Sequence, residues 1–145
     1  MKDFMVLVVD DEKDFLETTT KRMRKHEIRC ESAESGEEAI EKIKKGDIDV
    51  VLLDVKMPGM GGVETLREIK RIKPLIEVVM LTGHASVESG IEGMKLGAFD
   101  YLMKPMEFDK LVEKLNDAYE KKAIQEEKIE KAQFTQNLTF HRGQK

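Results

Sequence analysis

Apolar and polar positions follow two rhythms along this chain, and the rhythms trade places five times. Residues 4–9 form a near-continuous apolar run rich in valine, the mark of a buried strand. Over 13–25, Phe15, Leu16, Thr19 and Met23 recur at helical spacing. Residues 28–33 alternate, with Ile28, Cys30 and Ser32 on one face of a second strand. Ser35 can cap a helix, with Glu38 completing a capping box; Ala39, Ile40 and Ile43 form its inner stripe and Gly46 its expected C′ residue. Residues 50–53 are wholly apolar, as expected of a strand covered on both faces. After a Pro/Gly-rich loop, Val63, Leu66, Ile69 and Ile72 mark a third helix, stopped by Pro74. Residues 76–81 read as the fourth strand, interrupted only by Glu77. Residues 86–96 follow as a fourth helix, which Gly90 and Gly93 weaken by ~1 kcal/mol each relative to Ala. Residues 99–103 are the fifth strand. From Phe108 onward, Leu111, Val112, Leu115, Ala118 and Tyr119 line a long last helix.

Strictly alternating βα units imply a parallel sheet with helices on both faces. Right-handed crossovers leave few topologies, and five units fit a flavodoxin-like α/β fold, (βα)5, with strand order 2-1-3-4-5. In such folds ligands bind beyond the carboxyl ends of the strands, where the chain reverses between strands 1 and 3.

Composition narrows the function classes. The 145 residues hold 25 Lys+Arg and 29 Asp+Glu, a formal net charge of −4, and suit one domain. Residues 107–145 contain eight acids and eight bases, so the first 106 carry the whole imbalance. An acidic body with a neutral tail argues against direct nucleic-acid binding, which needs clustered Lys and Arg. Cys30 alone can form no intrachain disulfide, and a buried strand thiol is its expected role. No apolar run approaches the ~20 residues of a membrane span. No signal-peptide pattern follows Met1-Lys2-Asp3-Phe4, so a soluble, cytoplasmic protein that does not engage membrane is expected.

The strand ends carry the chemistry. Strand 1 runs into Asp10-Asp11-Glu12, strand 3 into Asp54, strand 4 into Thr82-Gly83 and strand 5 into Lys104-Pro105. The 2-1-3-4-5 order places Asp10, Asp11 and Asp54 in one pocket, where three carboxylates repel unless a cation is present. Hard divalent ions suit such oxygen donors, Mg²⁺ above all, with Mn²⁺ an alternative. A metal, a lysine and a hydroxyl around one central carboxylate are the parts of phosphoryl transfer, with Asp54 the nucleophile candidate and an aspartyl phosphate the product.

Four blocks carry a resemblance: Val8-Val9-Asp10-Asp11-Glu12, Leu52-Leu53-Asp54-Val55-Lys56-Met57-Pro58-Gly59, Leu81-Thr82-Gly83-His84-Ala85 and Phe99-Asp100-Tyr101-Leu102-Met103-Lys104-Pro105. In order and spacing they resemble the receiver domain of two-component response regulators. The resemblance implies a phosphorylation-activated switch, not an enzyme, over residues 1–122, in which Asp54 accepts phosphate from a sensor histidine kinase or phosphotransfer protein. It implies metal ligation by Asp11, Asp54 and the backbone carbonyl of Lys56, with Asp10 holding a metal-bound water. Lys104 would bind the phosphoryl group, Thr82 would swing toward it, and Tyr101 would turn into the vacated space. Backbone N–H groups of Lys56 and Gly83 would complete the cradle, and Lys104-Pro105 would be cis. The side chains of Lys56 and His84 would tune phosphate loss by obstructing water. The face made by helix 4, strand 5 and helix 5 would relay the signal to an output protein, to a missing output domain or to a second copy in a homodimer.

Two departures from the family pattern matter. Gly61 stands where an acid often precedes Gly62, removing a cap, and Gly90 and Gly93 replace usual alanines, predicting a mobile fourth helix. Methionines 57, 60, 80, 94, 103 and 106 read as packing and loop anchors. The charged residues 123–133 extend the last helix, with Ile124, Ile129 and Ala132 too sparse for a coiled coil; a solvated helix and a dimer interface both fit. Residues 134–145 read as a flexible or partner-docked tail. The chain is stand-alone or cut from a longer regulator. The rival class is a Mg²⁺-dependent phosphohydrolase with an aspartyl nucleophile, which usually carries a second Asp where this chain has Lys56. A flavin carrier lacks its phosphate-binding loop after strand 1.

Overall fold

The computed structural model describes residues 3–83 and 86–143, with side chains as far as Leu138. Its strands are β1 (Met5–Val9), β2 (Arg29–Ala33), β3 (Val50–Leu53), β4 (Glu77–Thr82) and β5 (Asp100–Met103). Between and after them lie α1 (Lys13–Lys25), α2 (Gly36–Lys45), α3 (Gly62–Ile72), α4 (Val87–Lys95) and α5 (Phe108–Gly143). Every pairing is parallel and the order is β2-β1-β3-β4-β5, as the alternation of elements implies. His84 and Ala85 lie outside the described residues.

Side chains alternate across the sheet, so each strand feeds two cores. Leu7, Val9, Val51, Leu53, Val78 and Met80 meet Ala39, Ile40 and Ile43 of α2 and Leu66 and Ile69 of α3. Val6, Val8, Val50, Leu52, Val79 and Leu81 meet Leu16 and Met23 of α1 and Leu111, Leu115 and Ala118 of α5. Glu77, the one polar break in the fourth strand, is buried and faces Lys70 and Lys121, each at 3.7 Å. Cys30 is buried, as its strand position implies.

Helix ends show what local chemistry controls. Ser35 Oγ accepts the Glu38 N–H at 3.1 Å, and Glu38 reaches back to the Glu34 N–H at 3.0 Å, one residue earlier than a strict capping box. Gly46 is the C-cap in extended backbone (φ −124°), not a left-handed C′ residue. Gly61 begins α3 with no side-chain cap, as expected. Its neighbour Gly62 is needed for close approach: a Cβ there would sit 2.3 Å from the Asp54 carbonyl oxygen. The start of α3 thereby lies directly against the Asp54–Val55 backbone.

Gly93 has a similar role in α4, since its Cβ would stand 2.8 Å from the sulfur of buried Met80. It is the one buried residue of this helix. The methionines divide: Met57 and Met80 are buried, whereas Met94 and Met103 are exposed rather than packed.

Helix α5 spans 36 residues, about 54 Å. Tyr119 stacks on Phe4 at 4.5 Å between ring centroids. One turn on, Lys122 is buried and its ammonium donates to Asp49 at 2.9 Å and Glu126 at 3.1 Å. Beyond it, Ile124, Ile129, Phe134 and Leu138 are exposed. The helix also continues through 134–143, part of the segment whose polar composition predicts a flexible or partner-docked tail. Nothing in 108–142 breaks it, since those residues include neither Pro nor Gly.

Candidate functional site

The register of the central strands builds the site. Val9 lies opposite Leu53, and Leu53 opposite Met80, so β1, β3 and β4 reach their carboxyl ends side by side. The ladder runs one step further, with the Asp54 N–H donating to the Val9 carbonyl at 2.9 Å. Asp10 and Asp54 are thus fixed by backbone as neighbours, and only 1% and 3% exposed.

Asp10 Oδ1 accepts the Glu12 N–H at 2.9 Å, and this turn brings Glu12 round beside Asp10. Carboxylate oxygens of Asp10, Glu12 and Asp54 lie within 4.8 Å of one another. Asp11, expected as a direct metal ligand, lies outside that group, and Glu12 is its third member; both side chains are exposed. Three adjacent acids in a sequence do not reveal which two will face one pocket, because the turn between strand and helix decides it.

Lys104 answers the charge. Its ammonium donates to Asp10 Oδ2 at 2.6 Å and to Glu12 at 3.2 Å, and stands 4.0 Å from the centroid of the Phe15 ring. Its own N–H donates to the carbonyl of Thr82 at 2.8 Å, so the buried end of β4 sets its height, and the Lys104–Pro105 peptide is cis. Helical spacing marks Phe15 only as a core position of α1; its place under Lys104 has no sequence signal.

The electrostatics follow from burial. Removal from water, with Asp54 adding repulsion, raises the Asp10 carboxyl above the usual carboxylate range despite its bond to Lys104. Burial pulls the Lys104 ammonium down, but its hydrogen bond to Asp10 and the charges of Asp10 and Asp54 outweigh this and raise it. Asp54 Oδ1 accepts the Val55 N–H at 2.9 Å, which orients the carboxylate.

Lys56 and Gly83 are exposed, and His84 lies outside the described residues. Tyr101, partly buried on β5, directs its hydroxyl to the first turn of α4, where Ser89 Oγ lies at 2.6 Å. Neither Ser86 nor Ser89 stood out as a functional residue in the sequence. Beside Lys104 a pocket of about 410 Å³ opens between α1 and the start of α5, lined among others by Asp14, Phe15, Arg22, Met106 and Phe108.

The doubly wound parallel sheet sets two buried aspartates and a lysine at its carboxyl edge, a donor set whose chemistry suits a divalent cation or a phosphoryl group. The chain belongs to the response regulator receiver domain family, whose model matches residues 6–116. It is 41% identical over 113 residues to the transcriptional regulatory protein ZraR of Klebsiella oxytoca, covering 78% of this chain and 26% of that protein. The DNA-binding transcriptional regulator NtrC of Escherichia coli is 33% identical over 112 residues, 77% of this chain and 24% of the relative. The chain therefore spans about a quarter of the length of these relatives. Among solved structures, a response regulator receiver domain protein from Clostridium thermocellum superposes with a TM-score of 0.79 at 36% identity, covering 83% of this chain and 98% of that one. One from Methanospirillum hungatei gives 0.82 at 28% identity, covering 86% and 99%.

Proposed function

We propose that this chain is a phosphorylation-activated switch of a two-component system, with Asp54 the phosphoacceptor and a histidine kinase or phosphotransfer protein the donor. The observation that carries the reading is the convergence of Asp54, Asp10, Glu12 and Lys104 at the carboxyl edge of the sheet. With Oδ1 held by the Val55 N–H, Oδ2 of Asp54 attacks phosphorus. A P–O bond forms as the P–N bond of the donor phosphohistidine breaks, and the electron pair leaves with the imidazole. Lys104 moves from Asp10 toward the new phosphoryl oxygens, and Thr82 follows from the end of β4.

The carboxylates fit a divalent cation, since buried Asp10 carries a penalty for ionisation that a cation would remove. Asp10 and Asp54, with Glu12 or Asp11 and the Lys56 carbonyl, would hold Mg²⁺, which supplies charge neutralisation at the phosphoryl oxygens. On the family resemblance the side chains of Lys56 and His84 would obstruct attacking water; Lys56→Ala is expected to shorten the phosphoryl lifetime severalfold, and an unchanged lifetime removes that role.

Output passes through the face of α4 and β5, where Val87 is 80% and Met103 63% exposed. A second copy, an output protein or an output domain such as the longer relatives have room for would bind there. The switch works in the cytoplasm without touching nucleic acid or membrane itself; among the described residues no helix is long and apolar enough to cross a membrane.

The test is incubation with acetyl phosphate and Mg²⁺, followed by intact-mass measurement. One phosphoryl adduct, absent from Asp54→Ala, is expected. Repeated turnover of a phosphate ester would overturn the reading in favour of a phosphohydrolase.

A further inference from the structure

The hydroxyl of Tyr101 is held by a closed set of hydrogen bonds on α4. Ser89 Oγ lies 2.6 Å from Tyr101 Oη, and the Ser86 N–H donates to the same oxygen at 3.3 Å. Ser86 Oγ caps the helix by accepting the Ser89 N–H at 3.1 Å and lies 2.7 Å from Ser89 Oγ. In one assignment the phenol donates to Ser89 Oγ, the Ser89 hydroxyl donates to Ser86 Oγ or to the Ser86 carbonyl 3.3 Å away, and the Ser86 N–H donates to the phenol.

The rest of Tyr101 has little freedom. Its backbone pairs with Met80 in the sheet, and its N–H donates to Asp100 Oδ1 at 2.7 Å. The other oxygen of Asp100 is ion-paired with Lys114 of α5 at 2.7 Å. The ring lies over Gly90, where even an added Cβ would stand 3.4 Å from its edge. What remains free is rotation of the ring, and the two serines oppose it.

We propose that Ser89, supported by Ser86, is a positioning residue that latches Tyr101 onto α4 and thereby sets how readily the switch turns. The inference rests on the reading of Thr82 and Tyr101 as the residues that respond to phosphoryl binding. For Tyr101 to turn inward, the bonds to Ser89 and Ser86 must break, so the latch opposes the phosphoryl-bound arrangement. Because Ser86 and Ser89 also form the first turn of α4, release of Tyr101 loosens that helix at the same moment. The position of the tyrosine and the order of the exposed α4 face are therefore coupled through two hydroxyls.

The experiment uses the full chain and four variants: Ser89→Ala, Ser89→Thr, Tyr101→Phe and the double Ser89→Ala/Tyr101→Phe. Affinity for beryllium trifluoride with Mg²⁺ reports the phosphoryl-bound arrangement. Ring NMR signals of Tyr101 and amide exchange over 87–95 report the latch in the free protein. Ser89→Ala is expected to tighten beryllium trifluoride binding roughly two- to tenfold, the range for one partly exposed hydrogen bond. It should also shift the Tyr101 ring signals and speed exchange in α4, while Ser89→Thr retains wild-type behaviour. In the Tyr101→Phe background the Ser89→Ala effect should vanish. An equal effect in that background would assign Ser89 to helix capping alone and overturn the proposal, as would unchanged ring signals. Should no variant bind beryllium trifluoride, the phosphoacceptor reading fails, and the ring signals and exchange still decide whether the latch exists.

Discussion

Replacing Asp54 by Asn removes one charge from the buried cluster while keeping the side chain's shape and the oxygen that accepts the Val55 N–H. Carboxylate oxygens of Asp10 and Asp54 lie within 4.8 Å, and two like charges at that distance repel by about 3.5 kcal/mol at an effective dielectric constant near 20. The ammonium of Lys104 keeps its bonds to Asp10 and Glu12 in the variant but loses its attraction to Asp54. The net expectation is a gain of roughly 1–3 kcal/mol at pH 7 without divalent cation, about 4 °C in Tm per kcal/mol for a chain of this size. The sign with pH follows from Asp10, whose carboxyl is raised by burial and by Asp54. A raised acid contributes stability below its unfolded pKa and loses it as pH rises through its folded value. The advantage of Asp54→Asn is therefore present at neutral pH and shrinks as Asp10 takes up its proton on acidification. On the proposed cation site, a divalent cation should act in the other direction on the comparison, stabilising the wild type by about 2.7 kcal/mol at a hundredfold excess over its Kd. Urea titrations at neutral and acidic pH, with and without Mg²⁺, measure all of this. A variant no more stable than the wild type at pH 7 without Mg²⁺, with the same pH slope, would refute the reasoning.

Three further outcomes are expected. Gly62→Ala drives a Cβ into the Asp54 carbonyl and should cost about 3 kcal/mol by urea denaturation, with loss of phosphorylation as the Asp54 loop shifts. In α4 the two glycines should part company. Gly90→Ala stabilises by up to ~1 kcal/mol, because its Cβ meets the Tyr101 ring at ordinary contact distance. Gly93→Ala must displace buried Met80 and destabilises; thermal melts of both variants check the difference in sign. Lys122→Ala removes the bond to Asp49 and should cost roughly 1–3 kcal/mol, with faster amide exchange in α5 from residue 119 onward.

Alternation of short apolar runs with helical stripes was enough to read a parallel, doubly wound sheet, its strand order and the strand ends where chemistry would lie. Those features rest on local periodicity and on the hand of the βα crossover, both carried by nearest neighbours along the chain. The positions of Asp10, Asp54 and Lys104, each directly after a strand, and of Thr82, the last residue of β4, could be read from the sequence because strand register sets them. The tertiary structure alone decided which carboxylate stands beside Asp10 and Asp54 in the free protein, because a turn with the Asp10–Glu12 hydrogen bond brings the Glu12 carboxylate, although exposed, within reach of both. It alone placed Phe15 under Lys104, Gly93 against Met80 and the Tyr101 hydroxyl on Ser89, contacts between elements 12 to 89 residues apart. A side chain's partner depends on the angle and distance at which two elements pack, quantities that arise only when the whole core closes and that no local pattern encodes.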